Sequence, residues 1–382
     1  MVIAIVQDEI VRKGGAEQVV LSFHNAFPDA PIYTLNYNPV TSYPEFKVCN
    51  IKTTWFGKFI KSEKNLKRFF FPFGIIAMKQ LYLKGFDVIL QSTTHCAKYI
   101  KTDPGTIVIT YCHTPFRLVW NPESYEAISN GGFFKRKLYY LLIEKLKSID
   151  KQSALRTDYF ITNSRTVVPR IEEAYSPSLE IKVINPSVKC DNFYISENIG
   201  DYYLVVSRFE FYKKVDLVIE TFKLMPDKKL IVVGKGSREK ELKEIAGDNV
   251  VFLSGLSAVE LANLYANCKA FIFPQLEDYG ITPLEANASG RPVIAYGKGG
   301  VLETMIPLQE DASKATAVFF PKQTVEALKH AIDIFELSNF DSQFIRKHAE
   351  EFDETCFVKK IRDFVDEKYR THDKKNLILN EA

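Results

Sequence analysis

A chain of 382 residues is longer than a single hydrophobic core usually organises, so two domains are expected. Hydrophobic residues at 46% and charged residues at 25% are ordinary for a globular protein and exclude extended disorder, fibrous repeats and a disulfide scaffold. Fifty Lys and Arg against 47 Asp and Glu leave a net charge of +3, which gives no global electrostatic reason to expect nucleic acid as a partner.

The opening run Met-Val-Ile-Ala-Ile-Val is too short for the apolar region of a secretion signal and soon meets Asp8, Glu9, Arg12 and Lys13, so it reads as a first buried strand. No uncharged apolar run approaches the roughly 20 residues that cross a bilayer. The six cysteines are scattered, with no Cys-x-x-Cys and no zinc spacing, and read as free thiols. The expectation is a cytoplasmic protein with at most peripheral contact at the inner face of the membrane.

Short β-branched runs at 2–6, 87–91, 106–111 and 159–163, and again at 203–207, 230–233, 250–253, 270–274 and 292–295, precede turns and amphipathic stretches. The stretches 16–26, 134–155, 165–175, 214–224, 238–246, 257–267 and 323–337 carry helical periodicity. Such alternation predicts an α/β fold made of two doubly wound, Rossmann-like parallel-sheet domains. The polar stretch 186–201 predicts the boundary between domains at 1–186 and 200–350. A last helix at about 354–370 has no strand after it and can pack on either domain.

In open α/β sheets ligands bind beyond the carboxyl ends of the strands, which directs attention to the strand-to-helix loops. After Ala270-Phe-Ile-Phe comes Pro-Gln-Leu-Glu277-Asp-Tyr-Gly280-Ile-Thr-Pro-Leu-Glu285-Ala-Asn-Ala-Ser-Gly290. Thr282 is predicted to cap a helix whose first residue is Pro283. Glu285 fits a capping box with Thr282, a purely structural reading. Glu277 has no such role, and Gly280 permits a close backbone approach. Together they fit a diphosphate held above a helix dipole and flanked by carboxylates that accept hydroxyls.

A second loop, Ser207-Arg208-Phe-Glu-Phe-Tyr-Lys213-Lys214, sets two cations at a strand end, where they can neutralise a departing diphosphate or simply face solvent. A third, Thr110-Tyr-Cys-His113-Thr-Pro, offers a lone histidine, a residue more often structural than catalytic. A fourth, Lys13-Gly14-Gly15-Ala-Glu17, permits a tight turn or a phosphate approach.

The run from Glu277 to Gly300 resembles the Glu-x7-Glu signature of retaining family-four glycosyltransferases with the GT-B fold. The overall pattern is similar to bacterial mannosyltransferases of O-antigen and capsule assembly. The resemblance implies that Glu277 faces the transferred sugar and that Glu285 binds the nucleotide ribose, with amides at Gly280, Ile281 and Thr282 on the phosphates. It implies Arg208 and Lys213 as the cationic pair, with Ser207 in place of the usual glycine. His113 would contact a donor hydroxyl, Gly14 and Gly15 would line the same cleft, and Gly255 and Leu256 would meet the base. A sugar-nucleotide donor, GDP-mannose, and a glycan or lipid-linked glycan acceptor in surface polysaccharide synthesis are then expected. No Asp-x-Asp motif is present, so no metal ion and no cofactor is expected.

Other readings remain at this stage: a UDP-sugar as donor, a sugar-nucleotide epimerase or hydrolase, or an inactive glycan-binding module. Lys58, Lys61, Lys64, Lys67 and Arg68 run into Phe69-Phe-Phe-Pro-Phe73, a basic and aromatic stretch suited to an anionic membrane surface. It reads equally as a solvated basic helix before a buried aromatic turn.

Overall fold

The computed structural model describes residues 1–60, 70–122, 133–177 and 180–380. The chain forms two compact units, Met1–Pro186 with Phe357–Ala382, and Ser187–Cys356. The expected basic residues Lys61, Lys64, Lys67 and Arg68, with Phe69, lie outside the described residues.

The strands of the first unit are β1 (Ile3–Gln7), β2 (Ile32–Thr34), β3 (Ile51–Thr53), β4 (Tyr82–Leu83), β5 (Val88–Thr93), β6 (Lys101–Thr102), β7 (Ile107–Cys112), β8 (Tyr159–Thr162) and β9 (Lys182–Val183). Seven of them make a sheet in the order β3-β2-β1-β5-β7-β8-β9, and β4 pairs with β6 alone. All these pairings are parallel. Every residue of β1, β5 and β7 is buried, as a parallel sheet covered by helices on both faces requires. Alternation divides β1 between two cores. Ile3 and Ile5 join one with Val20 and Phe23, while Ala4 and Val6 join the other with Ile89 and Tyr99.

The last helix, Glu354–Asn380, contributes Phe357, Ile361, Phe364 and Val365 to the first of those cores. Phe357 stacks on Phe23 at 6.1 Å, and the Arg362 guanidinium donates to the carbonyl of Ala26. This helix therefore belongs, from Phe357 onward, to the first unit.

In the second unit β10 (Tyr203–Val206), β11 (Leu230–Val233), β12 (Val250–Leu253), β13 (Phe271–Phe273), β14 (Val293–Tyr296) and β15 (Ala317–Phe320) form one sheet, ordered β12-β11-β10-β13-β14-β15 and parallel throughout. Both sheets are doubly wound. The strand order reverses between β1 and β5 in the first and between β10 and β13 in the second, which are the switch points where such sheets form crevices.

Candidate functional site

In the second unit the loops leaving β10 and β13 carry Arg208, Lys213 and Glu277, so these residues flank the switch point. The Lys213 ammonium forms an ion pair with the Glu277 carboxylate across 64 residues of sequence. Both side chains are largely shielded from water, which strengthens their attraction over that of an exposed pair. Tyr212 lies between the cations. Its hydroxyl accepts from Arg208 at 2.7 Å, and its ring lies 5.2 Å from the Lys213 ammonium. Arg208 itself is exposed. Lys214 is half-buried, adopts φ +53° at the start of the helix Val215–Lys223 and lies over the ring of Phe211.

Glu277 is positioned by a glycine pair that the spacing left unexplained. The amide of Gly300 donates to the Glu277 carbonyl at 3.0 Å, and Glu277 bridges to Gly299 in a one-residue parallel pairing. A Cβ on Gly299 would stand 2.4 Å from that carbonyl oxygen, and one on Gly300 would meet Asp278 and Tyr279 as closely. Only glycine lets the loop after β14 press against the loop after β13.

The helix that follows starts at Ile281, not Pro283, and its N-cap is Gly280 at φ +93°, with no side-chain cap. The expected Thr282 cap and the Thr282–Glu285 capping box are therefore absent. Gly280 supplies the turn by its left-handed backbone, which places Thr282 inside the first turn. Glu285 instead accepts a 2.8 Å hydrogen bond from the Tyr265 hydroxyl. Burial raises the carboxyl's proton affinity above the ordinary range, and the tyrosine bond acts in the opposite sense. Tyr265 is fully buried, and no local pattern marks it as the partner of Glu285.

Gly255 stands exposed at φ +74° with open space around it, and the partly buried Leu256 beside it packs against the core that holds Tyr265 and Phe271. Both follow the carboxyl end of β12. Arg208, Lys213, Gly255, Leu256, Gly280, Ile281, Thr282, Glu277 and Glu285 all follow carboxyl ends of one sheet's strands.

In the first unit His113 follows the carboxyl end of β7. Its Nε2 is 2.9 Å from Ser92 Oγ, its ring lies 5.0 Å from that of Tyr111, and only 9% of the residue is exposed. The Asn163 amide donates to the His113 carbonyl. Gly14 and Gly15 start the helix Gly15–Ala26, and a Cβ at Gly14 would lie 2.6 Å from a Glu17 carboxylate oxygen. Glu17 thus folds back toward the turn, where burial pushes its proton affinity up to about 7 despite the Arg12 guanidinium nearby.

At the β1–β5 switch point Asp8 accepts from the Thr93 and Thr94 hydroxyls and from the amides of Thr94, His95, Cys96 and Ala97. Burial works to raise its proton affinity, but these donors and His95 hold it far below the carboxylate range. His95 spans Asp8 and Glu9, 3.1 and 3.0 Å from its two nitrogens. Burial opposes its charge, yet the two carboxylates raise its proton affinity well above normal. Asp8, His95 and Cys96 bring possible metal-ligating atoms within 4.8 Å of one another. The Asp8 oxygens are already committed to the turn, and burial pushes the Cys96 thiol up to about 12, so this trio reads as a structural clasp.

Residues 197–354 match the family described as "Glycosyl transferases group 1". The chain is 25% identical over 372 residues to alpha-1,3/1,6-mannosyltransferase ALG2 of Candida glabrata, a match covering 79% of this chain and 78% of that one. It is 31% identical over 172 residues to the GDP-mannose-dependent alpha-(1-6)-phosphatidylinositol monomannoside mannosyltransferase of Mycolicibacterium smegmatis, covering 37% and 45% of the two chains. Among solved structures, sucrose-phosphate synthase from Thermosynechococcus elongatus superposes with a TM-score of 0.72 at 16% identity, covering 97% of this chain and all of that one. That likeness extends the two-domain GT-B fold over nearly the whole chain.

Proposed function

Because residues 197–354 belong to the glycosyl transferases of group 1, we propose that this glycosyltransferase moves mannose from GDP-mannose onto a glycan or lipid-linked glycan, with retention at the anomeric carbon. The observation that carries the reading is the Lys213–Glu277 pair at the switch point of the second sheet. The mannose donor and a lipid-bearing acceptor are suggested by the names of the mannosyltransferases that the chain resembles.

In this reading the bond from the sugar's anomeric carbon to the diphosphate breaks as the acceptor oxygen bonds to the same face. The leaving phosphate oxygen takes the acceptor's proton. Positive charge develops on the sugar and negative charge on the diphosphate. Glu277 faces the sugar and stabilises the first. Arg208, Lys213 and the amides at Gly280 to Thr282 receive the second, as oriented cations and a helix N-terminus can without a metal ion. Glu285 accepts ribose hydroxyls, and Gly255 with Leu256 meets the base. The first unit binds the acceptor, His113 contacts a donor hydroxyl, and Gly14 and Gly15 line the donor's path.

Among the described residues no helix is long and apolar enough to cross a membrane. Exposed Trp55, Phe59, Phe73 and Ile76 flank the basic stretch and favour peripheral contact with an anionic lipid surface, where a lipid-linked acceptor for surface polysaccharide would be met.

The test is incubation of the purified chain, with chelator present, with GDP-mannose or UDP-sugars and a lipid-linked glycan, followed by NMR of the product's anomeric configuration. A retained mannosyl linkage is expected. Turnover with UDP-sugars alone would overturn the donor, and release of free sugar or an isomerised nucleotide without product would overturn the transferase reading.

A further inference from the structure

A shallow pocket of about 380 Å³ opens on the first unit, lined among others by Lys79, Tyr99, Lys101, Gln152, Ser153 and Arg156. Its three cations stand on other segments than the strand ends that carry His113 and Asp8. Lys101 belongs to β6, which leads into the amino end of β7, and Arg156 lies between the helix Phe133–Ala154 and the amino end of β8. In a parallel sheet those amino ends are opposite the carboxyl ends of β1, β5 and β7.

The pocket gathers three cations and no acid. Among the described residues Lys79, Lys101 and Arg156 form no ion pair with a carboxylate, and the Arg156 guanidinium donates to the Lys98 carbonyl at 3.1 Å. Lys79 holds its proton less tightly than a free lysine, first through burial and then through repulsion from Arg156 and Lys101. Burial acts on Arg156 in the same direction.

Ser153 adds a second, independent sign. Only 4% of the residue is exposed, it lines the pocket, and its hydroxyl makes no hydrogen bond among the described residues. Converging like charges raise the free energy of the empty pocket, and the Ser153 hydroxyl is free to donate into it. A tetrahedral dianion would relieve that repulsion, accepting from the guanidinium, the two ammonium groups and the serine.

We propose that this pocket of the first unit is a binding site for a phosphate group, sharing no residue with the assigned donor site, formed by Lys79, Lys101 and Arg156 with Ser153 as hydroxyl donor. The phosphate belongs either to a small soluble anion or to the headgroup of an anionic lipid. The chemistry is the same for both, and the experiment separates them.

The full chain is titrated with inorganic phosphate and with pyrophosphate by calorimetry, and sedimented with vesicles of phosphatidylglycerol or of phosphatidylcholine. The same is done for the double variant Lys101→Gln/Arg156→Gln and for Ser153→Ala, with circular dichroism to confirm folding. Loss of two charge-assisted contacts should weaken binding by about tenfold or more, Ser153→Ala by less, and the KM for GDP-mannose should not move. Weakening towards soluble phosphate or pyrophosphate identifies a soluble ligand, and weakening on phosphatidylglycerol vesicles alone identifies a lipid headgroup. Equal binding by native chain and double variant, or no binding of any probe by the native chain, would overturn the proposal.

Discussion

The Tyr265 hydroxyl donates to Glu285 across 2.8 Å, from a ring that is fully buried, so the orientation of that carboxylate is fixed from beneath. Tyr265→Phe keeps the ring and removes the donor. With only the effect of burial left, the Glu285 carboxyl should take its proton more readily still. On the proposed ribose role, the donor KM rises several-fold at nearly constant kcat, and the acidic limb of kcat/KM moves to higher pH. Steady-state kinetics against pH checks this, and an unchanged acidic limb would count against Glu285 as a donor ligand.

Lys213→Ala and Glu277→Gln should each lower kcat by about 100-fold or more, because each removes charge stabilisation aimed at the transition state. The two act as a unit, so the double variant should lose little beyond the worse single one. Additive losses would mean that the ion pair is incidental to turnover.

Glu17 makes stability fall as pH rises. Its folded proton affinity, about 7 against 4.5 for an ordinary glutamate, means that its contribution is complete below about pH 4.5 and lost as pH climbs through 7. The ceiling on this loss is about 3 kcal/mol. Glu17→Gln, neutral at every pH, should flatten the Tm profile across that window and raise Tm at pH 8. Identical slopes for variant and native chain would rule the effect out.

Gly299→Ala should cost about 1–3 kcal/mol of stability and lower activity by tenfold or more, since φ is +82° and the new methyl meets the Glu277 carbonyl. Gly105→Ala serves as the control. It also has a positive φ, +85°, but open space, so it should lose only the backbone strain of about 1 kcal/mol. Thermal unfolding and kcat, measured together on the two variants, check the contrast.

The doubly wound architecture is legible because strands buried on both faces spell short apolar runs rich in β-branched residues, as Val88-Ile-Leu and Tyr203-Leu-Val-Val do. Ile32–Thr34, Ile51–Thr53 and Lys182–Val183 escape the same reading. Two or three residues carry no period, and their extended form comes from neighbours, Ile5 beside Ile32 and Ile32 beside Ile51. Ala317–Phe320 is apolar enough to be seen and is passed over beside the stronger signal at Val293. The cap at Thr282 fails for another reason: Ser and Thr caps are common, but a glycine with positive φ two residues earlier ends the competition. Contacts such as Lys213 with Glu277 or Tyr265 with Glu285 depend on which strands and helices become neighbours, and no local pattern encodes that.

The helix that supplies Phe357, Ile361, Phe364 and Val365 to the first core is made after the whole of Ser187–Cys356. During synthesis the first unit's core is therefore completed only after the residues of the second unit have been made. The second unit has every residue of its own sheet while Phe23 and Tyr111 still lack the Phe357 ring that covers them. The nascent chain thus passes through an interval with an open apolar surface near its own beginning, in which a chaperone has its substrate, and a stop codon before Phe357 leaves that core without four of its buried side chains.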